Sequence, residues 1–459
     1  MTESSPDGIQ GHYPASTRLH AAGPSAAKDP MAHDASLPPT ADAPAAAAPA
    51  SARGRKAALA FIFVAVTIDT IAMGITAPVL PLLVKQMVGD SADAGLMNGL
   101  FMTVFALMQF LCSPVLGALS DRFGRRPILL LSIAGMGLSY VGMAMATSIW
   151  QLLLIRLLTG VTSANIATAF AYIADVTPGE RRAGAYGLMQ ASMSAGFALG
   201  PAVGGLFGGL DPRAPFWAAA AFSLLNAAYG FFVVPESLPE ERRAPFHFRL
   251  ASFNAVAVLR SQPGLLRLAV ILVLVQFATM VFPTVFVLYA HDRYGWGVGA
   301  VSACMTAFGV CSFFVQAGLS GRLVRLFGEG KAMVLGLSCA VTGLAMFGLA
   351  PTGFLFNAFI PVMTLSGIAG PAAQSLMTRR VAPTEQGRLQ GANSSLQSLA
   401  GIIAPLLFGE AYSLAFSAWH ATTPLGFAVL GAPFLLASLI LLGGLGLALR
   451  IARAQRVPA

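Results

Sequence analysis

Twelve long apolar segments constrain this chain more than any other feature. Each is long enough to cross the roughly 30 Å of bilayer hydrocarbon, which takes about 20 helical residues. They cover residues 57–84, 95–118, 127–147, 150–174, 184–210, 215–235, 266–290, 297–320, 332–350, 353–376, 388–415 and 424–449. Because 56% of the residues are hydrophobic and 10% are charged, no soluble fold of this length could hide the apolar surface. The sequence predicts an all-α membrane protein with twelve transmembrane helices.

The longest connection between these segments divides them six and six. It covers residues 236–265 and contains PESLPEERRAPFHFR. We therefore predict an N-terminal six-helix bundle over residues 53–235 and a C-terminal one over 266–459, joined by a central cytoplasmic connection. Residues 1–52 are rich in Ala, Pro, Ser and Asp and contain no apolar run of signal-peptide length, so we predict a disordered cytoplasmic tail.

Positive charge predicts the orientation. With the N-terminus inside, 22 Lys and Arg residues fall on the cytoplasmic face, against three on the opposite face, Lys85, Arg213 and Arg293. Cytoplasmic loops of membrane proteins carry the excess of Lys and Arg, so both termini should be cytoplasmic. The net charge of +9 is dispersed in short clusters rather than gathered on one surface, and this argues against a nucleic-acid partner.

The two halves repeat at a fixed spacing of 204 residues. Seven residues recur at this offset: Gly117, Leu119, Phe123, Gly124, Gly187, Pro201 and Gly205 have the same residue types at 321, 323, 327, 328, 391, 405 and 409. Parallel repeats of six helices imply a pseudo-two-fold axis along the membrane normal, with a site between the halves. Asp121 and Arg125 are not repeated, because Arg325 and Glu329 stand in their places. We therefore predict that the charge system is specific to the N-half.

Several motifs resemble those of the major facilitator superfamily, and within it the drug:proton antiporters with twelve helices. GALSDRFGRRP looks like the loop signature GxxxDxxGRR, RLLTG resembles the helix 4 signature, and LGPAVGG resembles the antiporter signature of helix 5. Longer stretches resemble the Tet-type tetracycline exporters: APVLPLLV, ALMQFLCSPVLGALSDRFGRRPILLLS, AYIADVTPGERR and VPESLPEERR. The resemblance implies the major facilitator fold, export of a drug-like compound, and a place in the bacterial cytoplasmic membrane.

Three positions depart from the Tet-type pattern. Those exporters carry an acid in helix 3, a His in helix 8 and an acid in helix 9, where this chain has Ser139, Ser312 and Ala340. The antiporter interpretation does not depend on these residues. The identity of the substrate and the path of the proton do depend on these residues, so both stay open at this point.

Asp69 and Arg156 are the charged residues predicted to lie inside the membrane. A charge at the bilayer centre costs about 3 kcal/mol on insertion scales, so such residues are functional by default. Asp69, in TIDTIAMG, is therefore suited to bind and release a proton in each transport cycle. Arg156 would supply a fixed positive charge to a nearby acid, plausibly Asp69. The alternatives are an acid bonded across helices and an arginine that anchors helix packing.

Polar and aromatic residues at membrane depth are candidates for a substrate cavity. We predict that Gln109, Asn165, Gln276 and Phe282 line it. The Gln109 position is one that the Tet-type exporters also fill with Gln. The alternative for the amides is hydrogen bonding between helices, and for the phenylalanine it is packing in the core.

Charges between the second and third segments predict a conformational latch. Its residues are Gly117, Asp121, Arg122, Gly124, Arg125, Arg126 and Asp175. Arginines here also fit a simple inside-positive anchor, which leaves Asp121 unexplained. Asp121 and Arg125 are spaced i,i+4, so they can pair on a helical turn. The resemblance implies that Arg125 lies near Asp175 and that Asp121 meets the N-terminal end of helix 11, near Arg388, when the cytoplasmic side closes.

Small residues in the fifth segment predict a tightly packed seam. The seam residues are Gly196, Gly200, Pro201, Gly204 and Gly205. The spacing of four places Gly196, Gly200 and Gly204 on one smooth helix face, and Pro201 should kink the helix at the central interface. Such a seam would block leakage of protons.

These features together predict a secondary transporter that exports a drug-like amphipathic compound, with the tetracycline class favoured, in exchange for protons. Alternatives of the same fold are a proton-coupled transporter of a small metabolite and a broad multidrug exporter. A receptor or scaffold gains nothing from buried charges. The sequence carries no catalytic constellation, no metal-ligand spacing and no GxxxxGK[ST] loop. We therefore expect no cofactor, with the proton gradient as the energy source, and a monomer in the lipid bilayer.

Overall fold

The computed structural model describes residues 52–163, 165–243, 259, 263–381, 385–421 and 429–454. Of the predicted tail only residue 52 is described, and most of the connection between residues 244 and 262 also lies outside these ranges. The described part is helical throughout, with no strand in it. This agrees with the prediction of an all-α chain, because long apolar segments can satisfy their backbone groups inside a bilayer only as helices or closed barrels.

Twelve membrane helices follow one another along the chain, several of them broken into segments. They are α1 (Ala52–Thr76 and Leu80–Val88), α2 (Ser91–Phe123), α3 (Arg125–Met145), α4 (Ile149–Thr162 and Asn165–Val176), α5 (Gly179–Gly208), α6 (Ala214–Val233), α7 (Pro263–Thr279 and Val281–Tyr294), α8 (Val298–Phe314, a π-helical turn Val315–Leu319 and Ser320–Phe327), α9 (Glu329–Leu349), α10 (Gly353–Ala358, Ile360–Thr364, a 3-10 turn Leu365–Ile368 and Ala369–Thr378), α11 (Gln386–Ala421) and α12 (Ala432–Ala454). A short 3-10 helix, Glu240–Arg242, follows α6.

Eleven helices in the described ranges are long and apolar enough to cross a membrane. The twelfth is α5, which is 30 residues long but contains many glycine and serine residues that lower its hydropathy. It packs along α1 on one side and α8 on the other, as a membrane helix of the bundle does. Each of the twelve predicted segments therefore corresponds to one observed helix.

Each half has its own packing, and the halves meet along two helix pairs. In the N-half, α1 packs on α5 and α3 packs on α6, and in the C-half α9 and α7 both pack on α12. The contacts between halves run along α2 with α11 and along α5 with α8. We call the end of the molecule that carries the α1/α2 and α7/α8 loops the outer side, following the predicted orientation, and the other end the cytoplasmic side.

Candidate functional site

Asp69 lies on α1, buried between helices, with a side-chain amide as its partner. Asn165 donates a hydrogen bond from its amide nitrogen to Oδ2 of Asp69. The other oxygen, Oδ1, is buried without a hydrogen-bond partner among the described residues. Only 5% of Asp69 is exposed. A carboxyl with one free, buried oxygen can take up a proton there without giving up an existing hydrogen bond.

A break in α4 brings Asn165 to this position. The first segment of α4 ends at Thr162 and the second begins at Asn165, so the helix restarts at the level of Asp69. The break frees the carbonyl of Ser163, which accepts a hydrogen bond from Nε2 of Gln109 at 3.3 Å. Two predicted cavity residues, Gln109 on α2 and Asn165 on α4, therefore both lie at the break.

Arg156 does not pair with Asp69 in this conformation. No ion pair joins them within the described residues. The guanidinium instead lies over the ring of Phe105, 5.8 Å from its centroid, and Nε is buried without a hydrogen-bond partner. Tyr140, buried on α3, interacts electrostatically with both Asp69 and Arg156. That Arg156 supplies a positive charge to Asp69 stays a prediction, and Tyr140 had no predicted role.

The predicted seam holds α1 beside Asp69. A Cβ added to Gly200 would lie 2.5 Å from Cα of Gly74 and 2.7 Å from the carbonyl oxygen of Ile71. At Gly196 an added Cβ would lie 2.6 Å from Cβ of Thr70, the residue after Asp69. Because real Cβ atoms do not approach this closely, only glycine lets the two helices pack at this distance.

The two faces of the seam serve different interfaces. Gly196, Gly200 and Gly204 all face α1, within the N-half. Pro201 also lies against α1, and α5 continues through it without a break. Of the four predicted seam glycines, Gly205 faces the other half, where its added Cβ would lie 2.6 Å from Cβ of Ser302 on α8. That Pro201 lies at the central interface stays a prediction.

The other two predicted cavity residues lie in the C-half, on α7. Gln276 is half-buried, and its backbone carbonyl accepts a hydrogen bond from Thr279. Phe282 is half-buried and belongs to an aromatic cluster. Its ring packs at 5.6–6.5 Å, between centroids, from those of Phe286, Phe308, Phe347 and Phe434. Phe282 thus packs against the core of the C-half with part of its ring exposed, and its place in the cavity stays a prediction.

The predicted latch residues form one network at the cytoplasmic side. Nη1 of Arg125 lies 2.6 Å from Oδ1 of Asp121, and Nε lies 3.0 Å from Oδ2 of Asp175. The Asp121 side chain is 50% exposed. The side chain of Arg388, the expected neighbour on α11, lies outside the described residues. Arg125 therefore holds both acids within the N-half, while one of them remains open to solvent.

Glu236 completes this network and was not assigned a role from the sequence. Its carboxylate accepts hydrogen bonds from the backbone N–H groups of Arg125 and Arg126, at 2.8 and 3.3 Å, where α3 begins. Free N–H groups at a helix start favour such an acceptor. Gly124 has a φ of 103° and lies against Glu236, so the turn needs glycine for both reasons. The only signal in the sequence was the acid in VPESLPEERR.

The remaining latch residues have simpler surroundings. Arg122 lies over the ring of Phe123 and Arg126 over the ring of Phe231. Gly117 has no atom within 4 Å of an added Cβ. Gly117, a predicted latch residue, therefore makes no close helix contact at its Cβ position in this conformation.

The C-half has an ion pair at the corresponding positions, with the acid and the arginine exchanged. Nε of Arg379 lies 3.2 Å from Oε1 of Glu329. Glu329 and Arg379 are each 204 residues beyond the N-half pair, Arg125 and Asp175. The prediction that the charge system is specific to the N-half is thus wrong for this pair, since the repeat keeps the contact and reverses its polarity.

The three departures from the Tet-type pattern occupy ordinary packing positions. Ser139 is buried and donates its hydroxyl to the carbonyl of Gly135, at 2.8 Å, within its own helix. Ala340 is buried in the C-half core, and Ser312 is half-buried. Within the described residues, no three His, Cys, Asp or Glu side chains are grouped to hold a metal ion. Asp69 is therefore the buried acid around which a site in the N-half can be built.

Comparison with known proteins agrees with this architecture. Residues 62–405 match the sequence profile of the Major Facilitator Superfamily. The chain is 37% identical over 366 residues to the class C tetracycline resistance protein of Escherichia coli, which covers 79% of this chain and 91% of that protein. It is 30% identical over 384 residues to multidrug resistance protein 2 of Bacillus subtilis (strain 168), covering 82% and 90%.

A solved structure shares the fold. A bacterial homolog of the human lysosomal transporter Spinster, in an inward-facing and unoccupied conformation, superposes with a TM-score of 0.68 at 17% identity, covering 88% of this chain and 98% of that one. Twelve helices in two repeated halves, a buried acid on α1 and these matches lead to one assignment. The chain belongs to the Major Facilitator Superfamily of membrane transporters, in the group that includes the tetracycline resistance proteins.

Proposed function

We propose that this transporter exports an amphipathic, drug-like compound of the tetracycline class in exchange for protons. The observation that carries the proposal is the buried carboxyl of Asp69, which has one oxygen bonded to Asn165 and the other without a partner in the described part of the chain. An acid in this place costs free energy that a purely structural role would not require. The class C relative supports the substrate class, through its name and its 37% identity.

In this cycle Asp69 takes up a proton from the outer side as the drug leaves and releases it to the cytoplasm before the next drug binds. Arg156 supplies a fixed positive charge in the same region, where Tyr140 interacts electrostatically with both Asp69 and Arg156. Gln109, at the break in α4, and Gln276, on α7, would offer hydrogen bonds to the drug from the two halves. The proton gradient supplies the energy, so no cofactor is required.

The protein would act as a monomer in the bacterial cytoplasmic membrane, with both termini in the cytoplasm. The distribution of Lys and Arg supports this orientation. An impermeant reagent applied to single cysteines in the α1/α2 and α2/α3 loops of intact cells tests it, because only the former loop should react.

A broad multidrug exporter is the second candidate. The Tet-type pattern has an acid, a His and a second acid at three positions where this chain has Ser139, Ser312 and Ala340. The hydroxyl of Ser139 bonds to its own helix instead. The similarity to multidrug resistance protein 2 supports this alternative.

Proton flux in everted vesicles tests the proposal. Addition of drug should collapse an established pH gradient, and Asp69→Asn should abolish this effect while the protein remains in the membrane at normal amounts. A panel of tetracyclines, quinolones and chloramphenicol-like compounds separates the two candidates. Drug-driven proton release that persists in Asp69→Asn would refute the assignment of the coupling acid.

A further inference from the structure

A charged cluster joins the two halves at the outer side, away from Asp69. Lys85, on the second segment of α1, forms an ion pair with Oδ1 of Asp292 near the end of α7. The hydroxyl of Tyr412 on α11 donates to Oδ2 of the same carboxylate. Lys85 belongs to the N-half, while Asp292 and Tyr412 belong to the C-half. Both oxygens of one carboxylate are thus held by groups on two other helices.

The burial of this cluster ties it to one conformation. The side chain of Asp292 is 5% exposed and that of Lys85 is 23% exposed, and Tyr412 is fully buried. A buried carboxylate is stable only with its partners in place. Separation of the carboxylate from its partners leaves the charge unpaired in an environment that solvates it poorly. If the halves move apart here, water replaces the contact. The ion pair therefore stabilises only the state in which the outer side is closed.

The surrounding helices pack at the distances that glycine allows. A Cβ added to Gly95 on α2 would lie 2.5 Å from Cδ1 of Tyr412, and one added to Gly409 on α11 would lie 2.6 Å from the carbonyl oxygen of Gly95. Asn98 donates across the same interface to the carbonyl of Thr284. Tyr412 is thus fixed between α2 and Asp292, and it cannot keep both contacts when α2 moves away.

Glycines on the cytoplasmic side of the helices at the interface make no such close contacts. An added Cβ at Gly117 on α2, Gly187 on α5, Gly321 on α8 or Gly391 on α11 would meet no atom within 4 Å. These glycines lie on α2, α5, α8 and α11, the helices with the most extensive contacts between the halves. The close glycine contacts between the halves thus lie towards the outer side, where the cluster also lies.

We propose that Lys85, Asp292 and Tyr412 form an outer gate whose ion pair sets how long the transporter stays closed to the outside. They are positioning residues and do not contact the drug. The inference deepens the proposed function, because a gate of this kind matters only to a transporter that alternates between two open sides.

Access to a single thiol at the interface tests the gate without any need for drug or protons. Ser302 on α8 is 2% exposed and faces Gly205 on α5, so a cysteine there is covered while the outer side is closed. The test protein carries Ser302→Cys with its four native cysteines, Cys112, Cys304, Cys311 and Cys339, replaced by alanine. Its reaction with an impermeant maleimide is followed in intact cells and in everted vesicles, so the result does not depend on the orientation.

Loss of either charge should expose this thiol. Lys85→Ala or Asp292→Asn should raise the labelling rate at least about tenfold, because each leaves a buried group without its partner. The double variant Lys85→Asp with Asp292→Lys should return the rate close to that of the parent. Tyr412→Phe, a milder change that retains the ring, should raise the rate about threefold.

A matched control removes an ion pair that does not cross between halves. Glu329→Gln breaks the contact with Arg379 inside the C-half, on the other side, and should leave labelling unchanged. Single variants that label at the parent rate, or a double variant as fast as the single ones, would overturn the proposal. A labelling shift in a protein that shows no drug-driven proton flux would retain the gate and refute the proposed coupling.

Discussion

The N-half and the C-half share a scaffold but differ in what they bury. Asp69, Arg156 and Asn165 of the N-half correspond, 204 residues later, to Val273, Ile360 and Ala369. The last two are buried among apolar side chains of the C-half core. The turns before α3 and α9 are alike, since Gly124 and Gly328 both adopt positive φ, at 103° and 77°. The repeat therefore keeps the backbone, while the places of Asp69 and Arg156 hold apolar residues in the C-half.

Comparing the halves separates features of the shared scaffold from features that only the N-half has. A feature of the scaffold should behave alike in the two halves when it is disrupted. A feature that only the N-half has should affect transport when it is changed there, while a change at the corresponding place in the C-half should have less effect. Four substitutions test this division, from the largest expected effect to the smallest.

The largest effect is expected for Gly200→Val in the seam. The added side chain would meet backbone atoms of Gly74 and Ile71, which cannot rotate away. Overpacking of this kind costs about 1–3 kcal/mol or more. We expect a strong loss of monodisperse protein from membranes and of drug resistance in cells. Gly401→Val on α11 is the control, because no atom lies within 4 Å of its added Cβ. Equal losses in the two variants would show that valine harms either helix regardless of packing.

A smaller effect is expected for Asn165→Ala, which gives α4 the residue found at 369 in the C-half. Asp69 loses its hydrogen-bond donor, and a bond to a charged group contributes about 1.5–3 kcal/mol. Drug-driven proton flux in vesicles should fall about tenfold, with a changed dependence on pH. Asn226→Ala is the control, since this buried amide donates at 2.9 Å to the carbonyl of Ala65, elsewhere on α1. If both variants transport equally well, Asn165 only supports packing.

Asp121→Asn should slow transport about threefold or more while membrane insertion and drug binding remain. The carboxylate pairs with Arg125 but is half-exposed, so it can meet the N-terminal end of α11 when the cytoplasmic side closes, an interaction of roughly 0.3–1 kcal/mol. Turnover and drug affinity are measured separately on purified protein in liposomes. Arg325→Gln, at the corresponding place in the C-half, should have less effect. A loss of affinity without a loss of turnover would contradict a role in the conformational change.

The smallest effect is expected from exchanging the acid and the arginine of the N-half ion pair. Arg125→Glu combined with Asp175→Arg gives the N-half the polarity of the C-half. Thermal unfolding in detergent should show a coupling on the order of 1 kcal/mol between these positions. The pair of Glu329 and Arg379 should couple less, because the arginine is 75% exposed and water screens it. A larger coupling in the C-half would reverse the proposed ranking.

Much of the fold could be predicted from local patterns. The twelve segments follow from apolar length, because a bilayer excludes any backbone that does not bond to itself. The two halves follow from identities at one offset, and Gly124 follows from its place in GALSDRFGRRP. Asp69 stands out because an acid in an apolar segment is costly wherever the segment packs. These properties depend on residues close together along the chain.

Contacts between distant residues were decided only by the tertiary structure. Lys85 and Asp292 are 207 residues apart, and nothing in either local sequence marks them as a pair. Arg156 points to Phe105 rather than Asp69, because the rotation of α4 about its axis depends on packing against α2 and α3. Glu236 reaches the start of α3 from the end of α6. Sequence alone determined that the helices form and which of them carry charge, since the cost of burying apolar or charged groups in lipid is local. The packing of the twelve helices determines which charged side chains meet. That packing depends on the shapes of the helix surfaces and on the glycines at their contacts.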